Sequence, residues 1–176
     1  AKVEPHLKPC LVNNEKNGKV EQDPARTSTN ANLPQAEVPS VMKKMTDMTC
    51  CNADQVEILQ VLHYTEGQQF IPHTDGFSGP FTACGFEEST RLATIFTYLN
   101  DVDEGGCTYF PEIDLNIKPK KGTAVIHFPA DVNFREDERT LHQGMPAVDD
   151  KWLLTTWIWE RARSDETYAE SKLNLF

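Results

Sequence analysis

The chain has 176 residues, of which 39% are hydrophobic and 25% are charged, and its formal net charge is −10. This length suits one domain with its own core, so we expect a single unit over residues 1–176. An acidic chain gives no reason to expect nucleic acid or an anionic membrane surface as a partner. No apolar run reaches the roughly 18–20 residues of a membrane span, and the first residues lack the apolar segment of a signal peptide.

The first part of the chain predicts short strands and then a helix. Residues 1–37 are polar and rich in turn formers, which indicates strands near Leu11–Val12 and Val20, followed by an exposed polar loop that begins at Arg26. From residue 38 apolar side chains recur at three- and four-residue spacing, which predicts a helix over 38–49. We expect the methionines of this stripe to be core residues.

The rest of the chain is typical of an all-β core, which we place over residues 56–161. Short apolar or β-branched runs alternate there with turns. The predicted strands are 56–64, 70–75, 91–100, 107–110, 115–117, 123–128, 141–148 and 151–159. About eight short strands after one helix predict a mainly β fold with a double-stranded β-helix (jelly roll) core. Residues 76–89 are interpreted as a mobile loop, and residues 162–176 as a tail.

Two histidines and one aspartate are candidate metal ligands. His73 and Asp75 stand two residues apart in F-I-P-H-T-D, so in a strand they lie on the same face. His142 follows much later, in L-H-Q-G-M-P. Two histidines and one carboxylate, with other coordination positions open, are the ligands of non-haem Fe(II) oxygenases. A lone H-x-D arises often by chance, so the surrounding sequence has to show whether these residues bind a metal.

Four stretches resemble the Fe(II)- and 2-oxoglutarate-dependent dioxygenases, most closely the prolyl 4-hydroxylases. They are Q-V-L-H-Y-T-E-G-Q-Q-F-I-P-H-T-D, R-L-A-T-I-F-T-Y-L-N-D-V-D-E-G-G-C-T-Y-F-P, P-K-K-G-T-A-V-I-H-F, and L-H-Q-G-M-P with the later K-W and W-I-W-E-R. The stretches follow one another in the order and spacing of that family, and together they cover roughly residues 26–161. The resemblance implies Fe(II) on His73, Asp75 and His142, 2-oxoglutarate as cosubstrate, and ascorbate as the reductant of over-oxidised iron.

The same resemblance implies residues for 2-oxoglutarate. Lys151 follows His142 by nine residues (151 − 142), one fewer than is usual in prolyl 4-hydroxylases, and would bind the distal carboxylate. The hydroxyl of Tyr64 and the side chain of Thr108 match other cosubstrate contacts. Tyr98 and Thr155 are weaker candidates, and for both of them a role as core-filling residues is an equal alternative. The full set is Lys151, Tyr64, Thr108, Tyr98 and Thr155.

A proline-rich peptide or protein is the substrate that the resemblance implies. The matching positions are Arg26 and Ser28 in an R-x-S loop, and Glu57, Arg91 and Trp157 along the peptide groove. Two positions depart from the family. Phe70 stands where many members have tyrosine, and Trp159 where many have histidine. These departures leave the substrate sequence open but do not affect the iron ligands.

The implied reaction hydroxylates peptidyl proline with O₂ and 2-oxoglutarate and releases succinate and CO₂. Two alternatives stay open, namely a 2-oxoglutarate dioxygenase acting on another residue or a small molecule, and a non-catalytic metal-binding jelly roll. The resemblance favours the endoplasmic reticulum lumen. Five cysteines, Cys10, Cys50, Cys51, Cys84 and Cys107, leave the disulfide pairing and the redox compartment open, and the oligomeric state is open too.

Three further histidines, His6, His63 and His127, have no motif around them. His63 and His127 are each placed by alternation on the face of their strand that points away from the metal. We therefore expect both to be structural or exposed.

Overall fold

The computed structural model of the chain describes residues 6–10, 12–14, 19–21 and 24–164. Its strands are β1 (Lys8–Pro9), β2 (Val12–Asn14), β3 (Lys19–Glu21), β4 (Thr29–Leu33), β5 (Leu59–Tyr64), β6 (Phe70–His73), β7 (Phe81–Ala83), β8 (Phe86–Ser89), β9 (Arg91–Tyr98), β10 (Thr108–Phe110), β11 (Leu115–Ile117), β12 (Ala124–His127), β13 (His142–Gly144) and β14 (Lys151–Trp159). The helix α1 spans Pro39–Thr49. Leu11 and most of the predicted tail, 165–176, lie outside the described residues.

Most strands belong to two antiparallel sheets. The larger sheet has six strands in the order β1-β4-β5-β14-β9-β12, and the smaller has four in the order β11-β10-β13-β6. The sheets face each other, since Tyr98 Oη on β9 lies 2.8 Å from Thr108 Oγ1 on β10. The predicted jelly-roll core is confirmed. Within the part of the chain described, no helix has the length and apolar character that a membrane crossing requires.

The helix α1 covers the outer face of the six-stranded sheet. Met42 and Met45 are buried in a cluster that includes Leu154 and Ile158 of β14. Pro39 at the first turn fits a helix start because its missing N–H would have no partner there. The predicted helix and its two buried methionines are confirmed, whereas Met48 is 55% exposed and lies outside the core.

The inner face of the same sheet points towards the smaller sheet. Alternate residues of β14, namely Lys151, Leu153, Thr155 and Trp157, line a cleft between the sheets, because side chains along a strand alternate between its two faces. Strand β14 therefore contributes to the hydrophobic core with one set of residues and to the cleft with the other.

Two segments differ from the prediction. Residues 29–33 form β4, which pairs with β5 from Thr29↔His63 to Leu33↔Leu59, where only an exposed loop was expected. Residues 81–89 form the hairpin β7–β8, so their interpretation as loop is wrong. In that hairpin Phe86 is fully buried and stacks on Trp159 with ring centroids 4.5 Å apart.

Four of the cysteines, Cys10, Cys50, Cys51 and Cys107, are free thiols, with Cys10 buried and Cys50 exposed.

Candidate active site

The three predicted metal ligands meet at one end of the cleft. His73 on β6 and His142 on β13 are directly opposite each other in the antiparallel pair, and Asp75 follows β6. Their candidate ligand atoms all lie within 4.8 Å of one another. His73 Nε2 is 3.8 Å from Asp75 Oδ1, and His142 Nε2 is 3.7 Å from Asp75 Oδ2. The convergence predicted from H-x-D and the distant histidine is observed.

Backbone carbonyls fix how the two histidines are turned. Nδ1 of His73 lies 2.8 Å from the carbonyl oxygen of Ile71, and Nδ1 of His142 lies 3.0 Å from that of Thr140. A carbonyl only accepts, so each Nδ1 carries the proton and donates. The unprotonated Nε2 atoms then face Asp75, which is the arrangement that outer hydrogen bonds give to metal-binding histidines.

The protonation states also suit a cation. Burial lowers the pKa of His73 to about 4, and Asp75 offsets only part of that effect. Burial likewise lowers the pKa of His142. For Asp75 burial acts to raise the pKa, but the contact with His127 and the nearby His142 and His73 outweigh it and hold the pKa well below its usual value. At neutral pH the site therefore offers two neutral imidazoles and a carboxylate, a donor set that fits Fe(II).

The metal site opens into a cleft with an empty volume of about 490 Å³. Its walls come from both sheets. The lining residues are Arg26, Leu62, Tyr64, Phe70, His73, Asp75, Thr94, Phe96, Thr108, His142, Gly144, Lys151, Leu153, Thr155 and Trp157. Of the predicted cosubstrate residues, only Tyr98 is outside this lining. Its hydroxyl donates to Thr108 Oγ1 at 2.8 Å, and it is fully buried.

Lys151 is the unusual side chain of this cleft. It is 1% exposed, its Nζ donates to the carbonyl oxygen of Gly106 at 2.8 Å, and Nζ lies 4.3 Å from the centre of the Tyr64 ring. Among the described residues it forms no salt bridge. Burial lowers its pKa to about 8, with a smaller opposing effect of Cys107. A buried ammonium with no anionic partner is costly, and a ligand carboxylate in the cleft would supply that partner.

Gly106 makes the close approach to Lys151 possible. Its φ of +64° is unfavourable for other residues, and a Cβ there would lie 3.2 Å from Lys151 Cδ. The G-G turn before β10 thus carries both the carbonyl that accepts from Nζ and the space for the lysine stem.

Tyr64 and Thr155 stand beside Lys151 on the large sheet. Tyr64 is the cross-strand partner of Lys151 and is 2% exposed. Burial raises the pKa of its phenol, while Arg26 and a hydrogen bond with Ser28 act against that. Thr155 Oγ1 donates to the carbonyl oxygen of Ile95 at 3.3 Å. Both residues therefore lie where a ligand held by Lys151 would contact them.

The predicted peptide residues separate into two places. Arg26 and Trp157 line the cleft, and the Arg26 guanidinium carbon lies 5.0 Å from the centre of the Phe70 ring. Glu57 and Arg91 form an ion pair with a 3.0 Å contact behind Trp157, and the Arg91 guanidinium carbon lies 4.0 Å from the centre of an aromatic ring of Trp157.

Two details on the substrate side were not expected from the sequence. Ser28 is buried, and its hydroxyl donates to Cys10 Sγ at 3.2 Å. Trp159, at the position where the family often has histidine, donates its indole N–H to Glu57 Oε2 at 2.9 Å. The departure at Trp159 therefore preserves a donor, and this residue is fully buried outside the cleft lining.

His127 corrects the sequence analysis, which placed it away from the metal. It pairs with Thr94 across β12 and β9, points inward, and lies with Nε2 3.4 Å from Asp75 Oδ2. Strand β12 reads A-V-I-H, which has no polar alternation to fix its faces, so the orientation follows from pairing with β9. His63 does lie on the outer face, half-buried, with its ring stacked on Trp152 at a centroid distance of 4.0 Å.

Comparison with known proteins agrees with this geometry. Residues 59–159 match the 2OG-Fe(II) oxygenase superfamily. Prolyl 4-hydroxylase subunit alpha-2 of Gallus gallus is 35% identical over 163 residues, which cover 90% of this chain and 30% of that protein. Probable prolyl 4-hydroxylase 3 of Arabidopsis thaliana is 31% identical over 179 residues, which cover 89% of this chain and 62% of that one. The chain thus spans less than two thirds of the length of either relative.

A solved structure with the same fold is the 2OG complex of the viral collagen prolyl hydroxylase vCPH from Paramecium bursaria Chlorella virus-1. Its TM-score to this chain is 0.65 at 32% sequence identity, and the match covers 76% of this chain and 79% of that one.

Proposed function

The chain belongs to the 2OG-Fe(II) oxygenase superfamily, and from that premise we propose that it hydroxylates proline residues of a proline-rich peptide or protein, releasing succinate and CO₂. The observation that carries the proposal is a single cleft that holds both the His73–Asp75–His142 site and the buried Lys151. The names of the similar proteins, all prolyl hydroxylases, support proline as the target.

His73, Asp75 and His142 are the residues that would hold Fe(II). Fe(II) together with 2-oxoglutarate supplies the oxidising chemistry when both are bound, and ascorbate would keep the iron reduced between turnovers. The protein's part is to bind, orient and shield. Lys151 attracts the cosubstrate carboxylate, Tyr64 and Thr155 border that position, and Thr108 closes it from the smaller sheet.

The peptide end of the cleft suits an extended, proline-rich chain. Trp157 and Phe70 present aromatic surface there, and aromatic-lined grooves bind polyproline II segments, which lose little entropy on binding. The ion pair of Glu57 and Arg91 lies against Trp157 and fixes the position of that indole. Arg26 adds a cationic group at the cleft wall.

A second candidate is hydroxylation of another residue type. The apolar Phe70 in the lining favours it, because it replaces a polar group that many prolyl 4-hydroxylases have. For the compartment we propose the endoplasmic reticulum lumen, from the family resemblance alone. Fractionation of cells expressing the tagged protein tests that assignment.

Mass spectrometry of peptide pools tests the proposed substrate. The protein is incubated with Fe(II), 2-oxoglutarate, ascorbate and a pool of proline-rich peptides, beside a pool in which every proline is replaced by alanine. We expect one added oxygen atom on proline only, and none with His142→Ala. Oxygen on a non-proline residue in both pools would establish the second candidate, and the absence of any product would contradict hydroxylation of peptides.

A further inference from the structure

A fourth histidine belongs to the metal end of the cleft. His127 is 9% exposed, and its Nε2 lies 3.4 Å from Asp75 Oδ2. Neither of its ring nitrogens makes a hydrogen bond among the described residues, so the contact with Asp75 is the one polar contact that Nε2 has there. Burying polar nitrogens without partners is unfavourable, and an apolar ring would fill the same space without that cost. The imidazole is therefore present for its contact with Asp75 rather than for packing.

The two oxygens of Asp75 have different surroundings. Thr94 Oγ1 donates to Oδ2 at 2.8 Å, and the long contact from His127 reaches the same oxygen. Thr94 and His127 are cross-strand partners on β9 and β12, so both approach from the large sheet. Each oxygen also faces one of the predicted metal ligands, since His73 Nε2 lies 3.8 Å from Oδ1 and His142 Nε2 lies 3.7 Å from Oδ2.

We infer that His127 is a positioning residue which, together with Thr94, holds Asp75 Oδ2 from the large sheet and so fixes how the carboxylate faces the metal. The role rests on the metal site of the proposed function. His73 and His142 are fixed by the smaller sheet through their carbonyl partners, whereas Asp75 follows the end of β6 and needs support from outside that sheet. His127 and Thr94 provide it from the opposite sheet.

The role is indirect because His127 is set apart from the ligand group. The atoms that converge within 4.8 Å are those of His73, Asp75 and His142. The centre of the His127 ring lies 4.8 Å from that of the His142 ring, in an edge-on orientation. The His127 ring also meets the Phe110 ring edge-on, with their centres 5.5 Å apart. The aromatic neighbours hold the imidazole in place while its nitrogen faces the carboxylate.

Metal affinity measured calorimetrically without O₂ or cosubstrate tests this inference, with Mn(II) as the probe. His127→Phe keeps a ring but removes the polar nitrogen, and we expect it to bind Mn(II) about 10- to 100-fold more weakly, the usual cost of losing an outer partner of a metal ligand. His127→Gln places an amide N–H near the former Nε2, and we expect it to bind within a few-fold of the wild type.

Control variants distinguish loss of the His127–Asp75 contact from general damage to the fold. His63→Phe and His63→Gln change a histidine on the outer face of the same sheet, and we expect neither to alter Mn(II) affinity. If His127→Phe does not fold, His127→Leu replaces it. If His127→Phe, or His127→Leu in its place, binds Mn(II) as tightly as the wild type, the inference is overturned. It is also overturned if His127→Gln loses as much Mn(II) affinity as that variant. Failure of the wild type to bind Mn(II) would instead count against the metal site of the proposed function.

Discussion

The two faces of the six-stranded sheet are built from the same strands but differ in chemistry. On the outer face Leu154 and Ile158 of β14 pack against Met42 and Met45 of α1. On the inner face Lys151 and Thr155 of the same strand are buried and polar. Hydrophobic burial explains the packing of these outer residues, whereas burial without a partner disfavours a charged side chain on the inner face.

The difference identifies the residues that are present for function. A buried lysine without an anionic partner reduces the stability of a fold unless a ligand is bound. Substitutions on the inner face should therefore change binding and turnover, and substitutions on the outer face should change stability. The following predictions test that division, from the largest expected effect to the smallest.

Replacing Asp75 removes the only carboxylate of the candidate metal site. We expect Asp75→Ala to retain no divalent metal after gel filtration and to lose peptide hydroxylation completely, with an unchanged circular dichroism spectrum. Asp47→Ala is the control, because Asp47 is exposed on α1, where it pairs with Lys43. A metal content equal to that of the wild type in Asp75→Ala would contradict the ligand assignment.

Truncating Leu154 tests the outer face. The residue is 6% exposed in the helix-sheet cluster, and leucine-to-alanine changes in cores lower the free energy of unfolding by about 2–5 kcal/mol. We expect denaturant unfolding of Leu154→Ala to show a loss in that range, with an unchanged Michaelis constant for 2-oxoglutarate in the folded fraction. Leu115→Ala, at a 44% exposed site, should lower the free energy of unfolding far less. A changed cosubstrate requirement in Leu154→Ala would show that the faces are coupled.

Truncating Lys151 tests the cosubstrate end of the inner face. A charge-assisted contact with a carboxylate contributes about 1.5–3 kcal/mol, so we expect Lys151→Ala to raise the 2-oxoglutarate concentration for half-maximal rate by about 10- to 100-fold. The peptide requirement should change much less. Lys43→Ala, at an exposed lysine, serves as the control. An unchanged 2-oxoglutarate dependence would place the carboxylate elsewhere.

The lowered pKa of Lys151 predicts that the affinity for 2-oxoglutarate depends on pH. Burial lowers the pKa of Lys151 to about 8 in the free protein, and a carboxylate binds the protonated form. Above that pH binding must be accompanied by proton uptake, so 2-oxoglutarate affinity should fall by up to about tenfold for each further pH unit. Titration of binding between neutral and alkaline pH with an inert divalent metal measures this. Lys151→Arg, whose charge persists, should give a flat profile, and a flat wild-type profile would rule out the ammonium contact.

The sequence predicts the proximity of His73 and Asp75 well because its signals are local. His73 and Asp75 share a face through the two-residue period of a strand, and the helix α1 follows from its three- and four-residue apolar spacing. Neither inference needs to know which strands are neighbours. Only the meeting of His142 with them depended on the resemblance, and the structure confirms it.

The residues that the sequence analysis misplaced depend on strand pairing. The orientation of His127 is set by its pairing with β9, because Ile126 lies opposite Ile95 and His127 opposite Thr94. Strand β4 is polar in sequence and becomes a strand through its ladder with β5. The hairpin at 81–89 is held by the stacking of Phe86 on Trp159, a contact between residues far apart in the chain. Such information is absent from any local window of sequence.

Succinate production tests most directly whether the inner face is a catalytic site. The protein is supplied with 2-oxoglutarate and O₂ without peptide, with and without Fe(II), beside His142→Ala and Leu154→Ala. We expect Fe(II)-dependent succinate from the wild type and from folded Leu154→Ala, and none above background from His142→Ala. Succinate formed equally by His142→Ala, or no succinate from the wild type with Fe(II), would contradict the assignment of the cleft as a 2-oxoglutarate oxygenase site.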